Sequence, residues 1–296
     1  PTGGFFHENL QRAGINPANI TDIVFSHSHL DHIGGNIKAD DAFSLAEQYF
    51  GDWATPARPV PAAQTSAPGS AGKNARVVVI DKPDAGQAAV LLVRTGLKRS
   101  EANYYTGLVA NSVLGGGYSA RLNQEIRVKR GLSYGASSAL EVRREIGPFI
   151  AATQTKNASA AQVATVLIDE LTRLSRDPIS EEEFVPRKAA LIGSTSLRLE
   201  TNEGLVTYIG SLALYDLSLE EINHYIKKIQ AITAKDIQTF AGSRLSSETA
   251  RIVIVGNARE FLDELRKRFT DVEVIPAAEL DLNSPTLRRA KAAAKK

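Results

Sequence analysis

The chain predicts an α+β fold, an antiparallel sheet with helices packed on it, preceded by an incomplete strand–loop–helix fragment. Three observations carry this expectation. Short β-rich runs come in adjacent pairs, Arg76–Asp81 with Gln87–Arg94 and Leu132–Arg143 with Pro148–Thr155. A block with helical period and helix-start signals begins at Ala160. Two last β-rich runs, Arg251–Val255 and Val272–Ile275, flank one more helical stretch. Strands and helices grouped in runs suit a sheet layered with helices.

Each element has its own local reason. Residues 5–20 read as a helix stopped by Gly14, and residues 21–26 as a short strand. Ala42–Phe50 is helical and is ended by Gly51 to Trp53. Residues 54–72 carry Pro56, Pro59, Pro61 and Pro68 among small polar residues, which makes a partly extended linker. Between Ser100 and Val113, Tyr104, Leu108, Val109 and Val113 share one helical face, and a second helix covers 120–130. From Ala160 to Ser175 the buried face is Val163, Leu167, Leu171 and Leu174. Later starts carry a hydroxyl with an acid three residues on: Ser180/Glu183 and Ser218/Glu221 as capping boxes, and Thr233/Asp236 as a weaker version. Pro186 falls inside the helix that Ser180 opens, so that helix starts either at Ser180 or nearer Pro186. Arg259–Phe269 is the last helix.

Composition narrows the function classes. A length of 296 residues suggests about two domains. Hydrophobic residues at 43% and charged residues at 23% are ordinary for a globular protein, and no apolar run approaches the roughly 18 residues a membrane span needs. The absence of cysteine excludes disulfides, thiolate metal sites and cysteine nucleophiles. A chain that opens on Pro1 and lacks methionine is expected to begin downstream of a true N-terminus, which leaves a removed signal peptide open. The net charge is +2; removing the five positive charges of Arg288, Arg289, Lys291, Lys295 and Lys296 leaves −3. The body therefore has no nucleic-acid footprint, and 277–296 reads as a basic, solvated tail.

The segment from Leu114 to Gly135 is the most informative. Gly115, Gly116 and Gly117 form a glycine loop expected to take left-handed angles and to approach another element closely. A short helix carries Arg127, Gly131 reverses the chain, and Tyr134 is expected three residues into the next strand. A guanidinium and a phenol seven residues apart can donate to one carbonyl oxygen. Taken singly, either residue is more often structural: arginine as a solvated charge, tyrosine as packing.

The string Gly-Gly-Gly, Arg121-Leu122, Glu125-Ile126-Arg127, Arg130-Gly131-Leu132 and Tyr134 resembles the C-terminal-domain signature of the insulinase/pitrilysin zinc peptidases, which include the mitochondrial processing peptidases. The likeness runs from about residue 42 to 276, with 41–53 as a remnant of the family's N-terminal domain, 54–72 as linker and 73–276 as the C-terminal domain. It implies a processing-peptidase-like α+β domain in which Arg127 and Tyr134 hold a peptide substrate. It also implies zinc on a partner, because the family's H-x-x-E-H string is absent and neither His7 nor His224 has a histidine four residues away. No catalytic set is complete in this chain. The implied partner is a zinc-bearing subunit of the same family or a second copy. Bacterial relatives of this kind are often exported, so the periplasm is expected, with the cytoplasm as the alternative.

A second motif points elsewhere. His27, His29, Asp31 and His32 follow a β-rich run and precede Gly34-Gly35. Imidazole and carboxylate donors suit zinc. The string resembles the metal loop of the metallo-β-lactamase superfamily over about residues 4–38, within a fragment spanning 1–40. That resemblance implies further ligands on distant strands, of which only His224 is left downstream, so the four residues are a partial metal site. Three readings follow: a non-catalytic substrate-binding half of an insulinase-like peptidase, a metal-dependent hydrolase using the histidine motif, and a non-enzymatic peptide-binding or assembly scaffold.

Overall fold

The computed structural model describes residues 39–52, 76–284 and 286–289. The expected helix at 5–20, the strand at 21–26, the histidine motif, the linker and the tail beyond 289 lie outside these residues. The described chain forms two compact units. One contains helix α1 (Ala39–Phe50) and residues Ser194–Ala213; the other contains the sheet and the helical residues outside those ranges. No described helix is long and apolar enough to cross a membrane.

The larger unit is built on six strands: β1 (Arg76–Asp81), β2 (Ala88–Thr95), β3 (Ala136–Leu140), β4 (Pro148–Thr155), β5 (Arg251–Gly256) and β6 (Val272–Pro276). Their order is β3-β4-β2-β5-β1-β6. The antiparallel expectation holds for β3, β4, β2 and β5. It does not hold for β1, which lies parallel to both β5 and β6. The sheet is therefore mixed. The reason is visible in the elements: β5 and β6 are joined through helix α9 (Leu262–Arg268), a crossover that leaves both running the same way, and β1 inserts between them. The unbroken apolar run Val77–Ile80 fits a strand with neighbours on both sides.

Helices α2 (Tyr104–Leu114), α4 (Ala160–Arg176) and α8 (Ala234–Arg244) pack together, with α4 against β2. The anticipated stripe of α4 is buried: Val163, Leu167, Leu171 and Leu174 are all within 1% of full burial. Val109 and Val113 of α2 face the same core, with Tyr104 and Leu108 packed at its margin. Burying each such side chain contributes about 1.5–3 kcal/mol.

Helix starts depart from their expected ranking. Thr233/Asp236, the version expected to be weaker, forms the complete reciprocal capping box at α8. Ser218/Glu221 does not form the box at helix α7 (Glu220–Ala231): Ser218 Oγ accepts from the Glu220 amide at 3.2 Å, but the Glu221 carboxylate is taken by Tyr105 and Lys228. Helix α5 (Glu181–Leu199) begins directly after Ser180 and passes through Pro186. Ser180 Oγ accepts from the Glu183 amide at 3.3 Å, but the Glu183 carboxylate is bonded elsewhere, so only half a box is present. Helix α6 (Asn202–Leu214) follows. The start of the basic tail is not solvated throughout. Arg288 donates to the Val274 carbonyl at 2.7 Å and pairs with Glu279 at 2.9 Å, which closes the outer side of β6.

Candidate functional site

The site is carried by the short segment between α2 and β3. Helix α3 (Arg121–Asn123) continues as a π-helical turn, Gln124–Val128, closed by the Lys129 amide donating to the Gln124 carbonyl. Such turns insert a residue into the helical ladder and re-aim the side chains that follow. Arg127 lies on this turn. The Gly131 amide then caps the Arg127 carbonyl at 3.0 Å, and Gly131 takes φ = +61°. Among the described glycines it alone is left-handed, as the sharp reversal requires.

The glycine loop behaves differently from expectation. Gly115, Gly116 and Gly117 do not use left-handed angles. Gly115 serves close approach instead: a Cβ there would stand 2.5 Å from the Ser138 backbone nitrogen, and its carbonyl accepts from that amide at 2.9 Å. This contact presses the loop onto edge strand β3. A Cβ on Gly117 would meet nothing nearer than an Arg187 nitrogen at 3.7 Å.

Tyr134 is not in the strand. It sits in the loop before β3 and is 84% exposed. The Arg127 guanidinium carbon lies 4.7 Å from the centre of its ring, and also 4.7 Å from the ring of Tyr118. Arg127 is thus stacked between two tyrosines, each such contact contributing about 0.5–1 kcal/mol at an exposed site. Arg127 Nη1 is shielded from solvent and has no hydrogen-bond partner in the protein.

The sequence reading missed three supports of this sandwich. Tyr118 had a visible signal, an aromatic directly after three glycines. Asn123 had none: it is 3% exposed, its Nδ2 donates to the Tyr118 carbonyl at 2.6 Å and its Oδ1 accepts from the Ala136 amide at 3.3 Å. One side chain therefore ties together the two loops that carry the tyrosines. Thr153 and Thr155 on β4 are the third: the Thr153 hydroxyl lies 2.7 Å from both Ser133 Oγ and the Gly135 carbonyl, and Thr155 donates to the Leu132 carbonyl.

Ion pairs hold the segment from below. Arg121 forks onto Glu183 of α5, Nε to Oε1 at 2.6 Å and Nη2 to Oε2 at 2.7 Å. Glu125 is paired with Lys129 and Arg130, with Arg173 of α4 at 3.8 Å. Burial opposes ionisation of Glu125, yet those bonded cations hold its carboxyl below the usual range. Burial raises Glu170, and its bond from Arg173 at 2.7 Å offsets only part of that.

The arrangement can present fixed donors to a passing carbonyl oxygen. Among the described residues no group of three or more histidines or carboxylates could hold a metal ion. His27, His29, Asp31 and His32 lie outside those residues.

Comparison with known proteins agrees with the fold. A sequence profile described as the peptidase M16 inactive domain matches residues 33–191. An uncharacterized zinc protease of Mycobacterium tuberculosis is 29% identical over 235 residues, 78% of this chain and 53% of that protein. The chain thus spans about half the length of the curated relatives it matches. Among solved structures, the peptidase M16 inactive domain from Pseudomonas fluorescens superposes with a TM-score of 0.62 at 26% identity, covering 75% of this chain and 52% of that one. A protease from Helicobacter pylori shares the fold, with a TM-score of 0.64 at 16% identity over 74% and 53% of the two chains. The likeness to a metallo-β-lactamase loop found no counterpart in these matches. With the profile match spanning more than half its length, the chain belongs to the peptidase M16 inactive-domain family.

Proposed function

We propose that this chain is the substrate-holding, non-hydrolytic half of a zinc peptidase, and that Arg127 and Tyr134 bind the backbone of a peptide presented to a zinc site on a partner. The carrying observation is the sandwich: Arg127 is clasped between Tyr118 and Tyr134, and Tyr134 is 84% exposed. The partner, a zinc-bearing subunit of the same family or a second copy, supplies the hydrolytic chemistry. This chain's residues orient the substrate. Arg127 gives a charged donor and Tyr134 a neutral one. Tyr118 and Asn123 restrict where those donors point, so little freedom is lost when a peptide arrives. A donor that meets a developing oxyanion contributes about 2.7–4 kcal/mol to lowering a barrier.

The test pairs the purified chain with a zinc-bearing subunit and follows cleavage of an unfolded peptide. Arg127→Ala and Tyr134→Phe are expected to lower kcat/KM by about 100-fold and about tenfold. Tyr118→Leu should act through Arg127, with a small effect of its own once Arg127 is alanine. Unchanged paired activity in Arg127→Ala and Tyr134→Phe would end this reading.

A further inference from the structure

Beside Tyr134 lies an open cleft of about 470 Å³, formed by the 131–135 loop, the start of β2 and the end of β4. The polar groups of its floor are already committed. Ser133 Oγ bonds within the loop and accepts from Thr153, and the Thr155 hydroxyl donates to the Leu132 carbonyl. Its rim is not committed. Gln87, Gln154 and Lys156 are exposed, and their side chains bond to no described residue. Ala88 pairs with Thr155 across the β2–β4 ladder, and this register brings Gln87 and Lys156 to one end of the sheet. The rim thus offers an ammonium, two amides and the Tyr134 phenol, while no carboxylate lines the cleft.

We propose that this cleft is a carboxylate-binding subsite, which gives the peptide substrate a preference for an acidic group next to the residue that Arg127 and Tyr134 hold. Lys156 provides the charge, and the Gln87 and Gln154 amides provide neutral donors. The carboxylate can come from an aspartate or glutamate side chain or from the peptide's own C-terminus; the chemistry is shared. The inference rests on the reading of Arg127 and Tyr134 as peptide-holding groups. Because Lys156 is exposed, the preference is modest, about two- to fivefold, and falls with added salt.

The experiment measures binding of fluorescently labelled alanine peptides to the full chain by anisotropy at low salt. One peptide carries a central Glu and a blocked C-terminus, one carries Gln in its place, and one has the Gln with a free C-terminal carboxylate. The Glu peptide, the free-acid peptide or both should bind about two- to fivefold tighter than the blocked Gln peptide, and which does so identifies the source. Lys156→Gln should erase the difference while leaving binding of the blocked Gln peptide intact, and Arg127→Ala should weaken all three. Equal binding of all three to the unaltered chain, or a preference that survives Lys156→Gln, overturns the subsite alone, provided Arg127→Ala still weakens binding. No binding of any peptide, or binding indifferent to Arg127→Ala, overturns the underlying reading and the subsite with it.

Discussion

Glu183→Ala tests whether the site segment is anchored from α5. Arg121 retains only 10% side-chain exposure and Glu183 28%, and the guanidinium makes both of its bonds to this carboxylate. Its third nitrogen, Nη1, is buried without a partner. Removing Glu183 therefore leaves a largely buried cation without its hydrogen-bonded carboxylate, with only the longer-range attraction of Glu170. Breaking a fully buried pair costs about 3–5 kcal/mol, and a hydrogen bond to a charged group contributes about 1.5–3 kcal/mol. Partial solvation at the Glu183 end lowers the expected loss to about 2–3 kcal/mol. For a protein of this size that is a fall of about 4–12 °C in Tm. Urea unfolding at neutral pH, with the slope compared between variants, separates a stability change from a change in the unfolded chain. Arg121→Met combined with Glu183→Ala removes the stranded charge and should recover half or more of the loss. A loss under about 0.5 kcal/mol in Glu183→Ala, the range of ordinary surface changes, refutes the reasoning. A double variant as destabilised as the sum of the singles does so too.

Two further outcomes follow from local geometry. Gly115→Ala should cost about 1–3 kcal/mol, because its Cβ would press on β3 backbone, whereas Gly117→Ala should be nearly neutral; equal effects on urea midpoints would contradict the close-approach account. The Asp236 carboxyl is held below its ordinary range by bonds from the Thr233 hydroxyl and then the Thr233 amide. A lowered carboxylate stabilises the fold above its unfolded pKa, and that contribution fades as pH falls through the lower folded value. The protection of amides at the start of α8, with exchange corrected for its intrinsic pH dependence, should therefore fall on acidification below about pH 4. Thr233→Ala should cost about 1 kcal/mol at neutral pH, and an unchanged exchange rate in that variant would refute the cap.

Much was legible in the chain itself. The stripe Val163, Leu167, Leu171 and Leu174 has helical spacing, and burial follows from that spacing alone. Gly131 was legible because a left-handed turn excludes nearly every other residue. The Gly115–Tyr134 string pointed to the family by its resemblance to a known signature, and the profile match agrees. What remained hidden depends on partners distant in sequence. The parallel placement of β1 depends on strands 175 and 195 residues away, and nothing in Val77–Ile80 distinguishes its neighbours. Glu183 has the spacing of a capping residue, yet a guanidinium 62 positions earlier outcompetes the backbone amide for its carboxylate. Asn123 is an unremarkable polar residue until folding places Tyr118 and Ala136 on either side of it. Local geometry and period were thus determined by sequence. The choice among competing partners was decided by tertiary structure, because a hydrogen bond or ion pair goes to whichever group the packed core brings within about 3 Å.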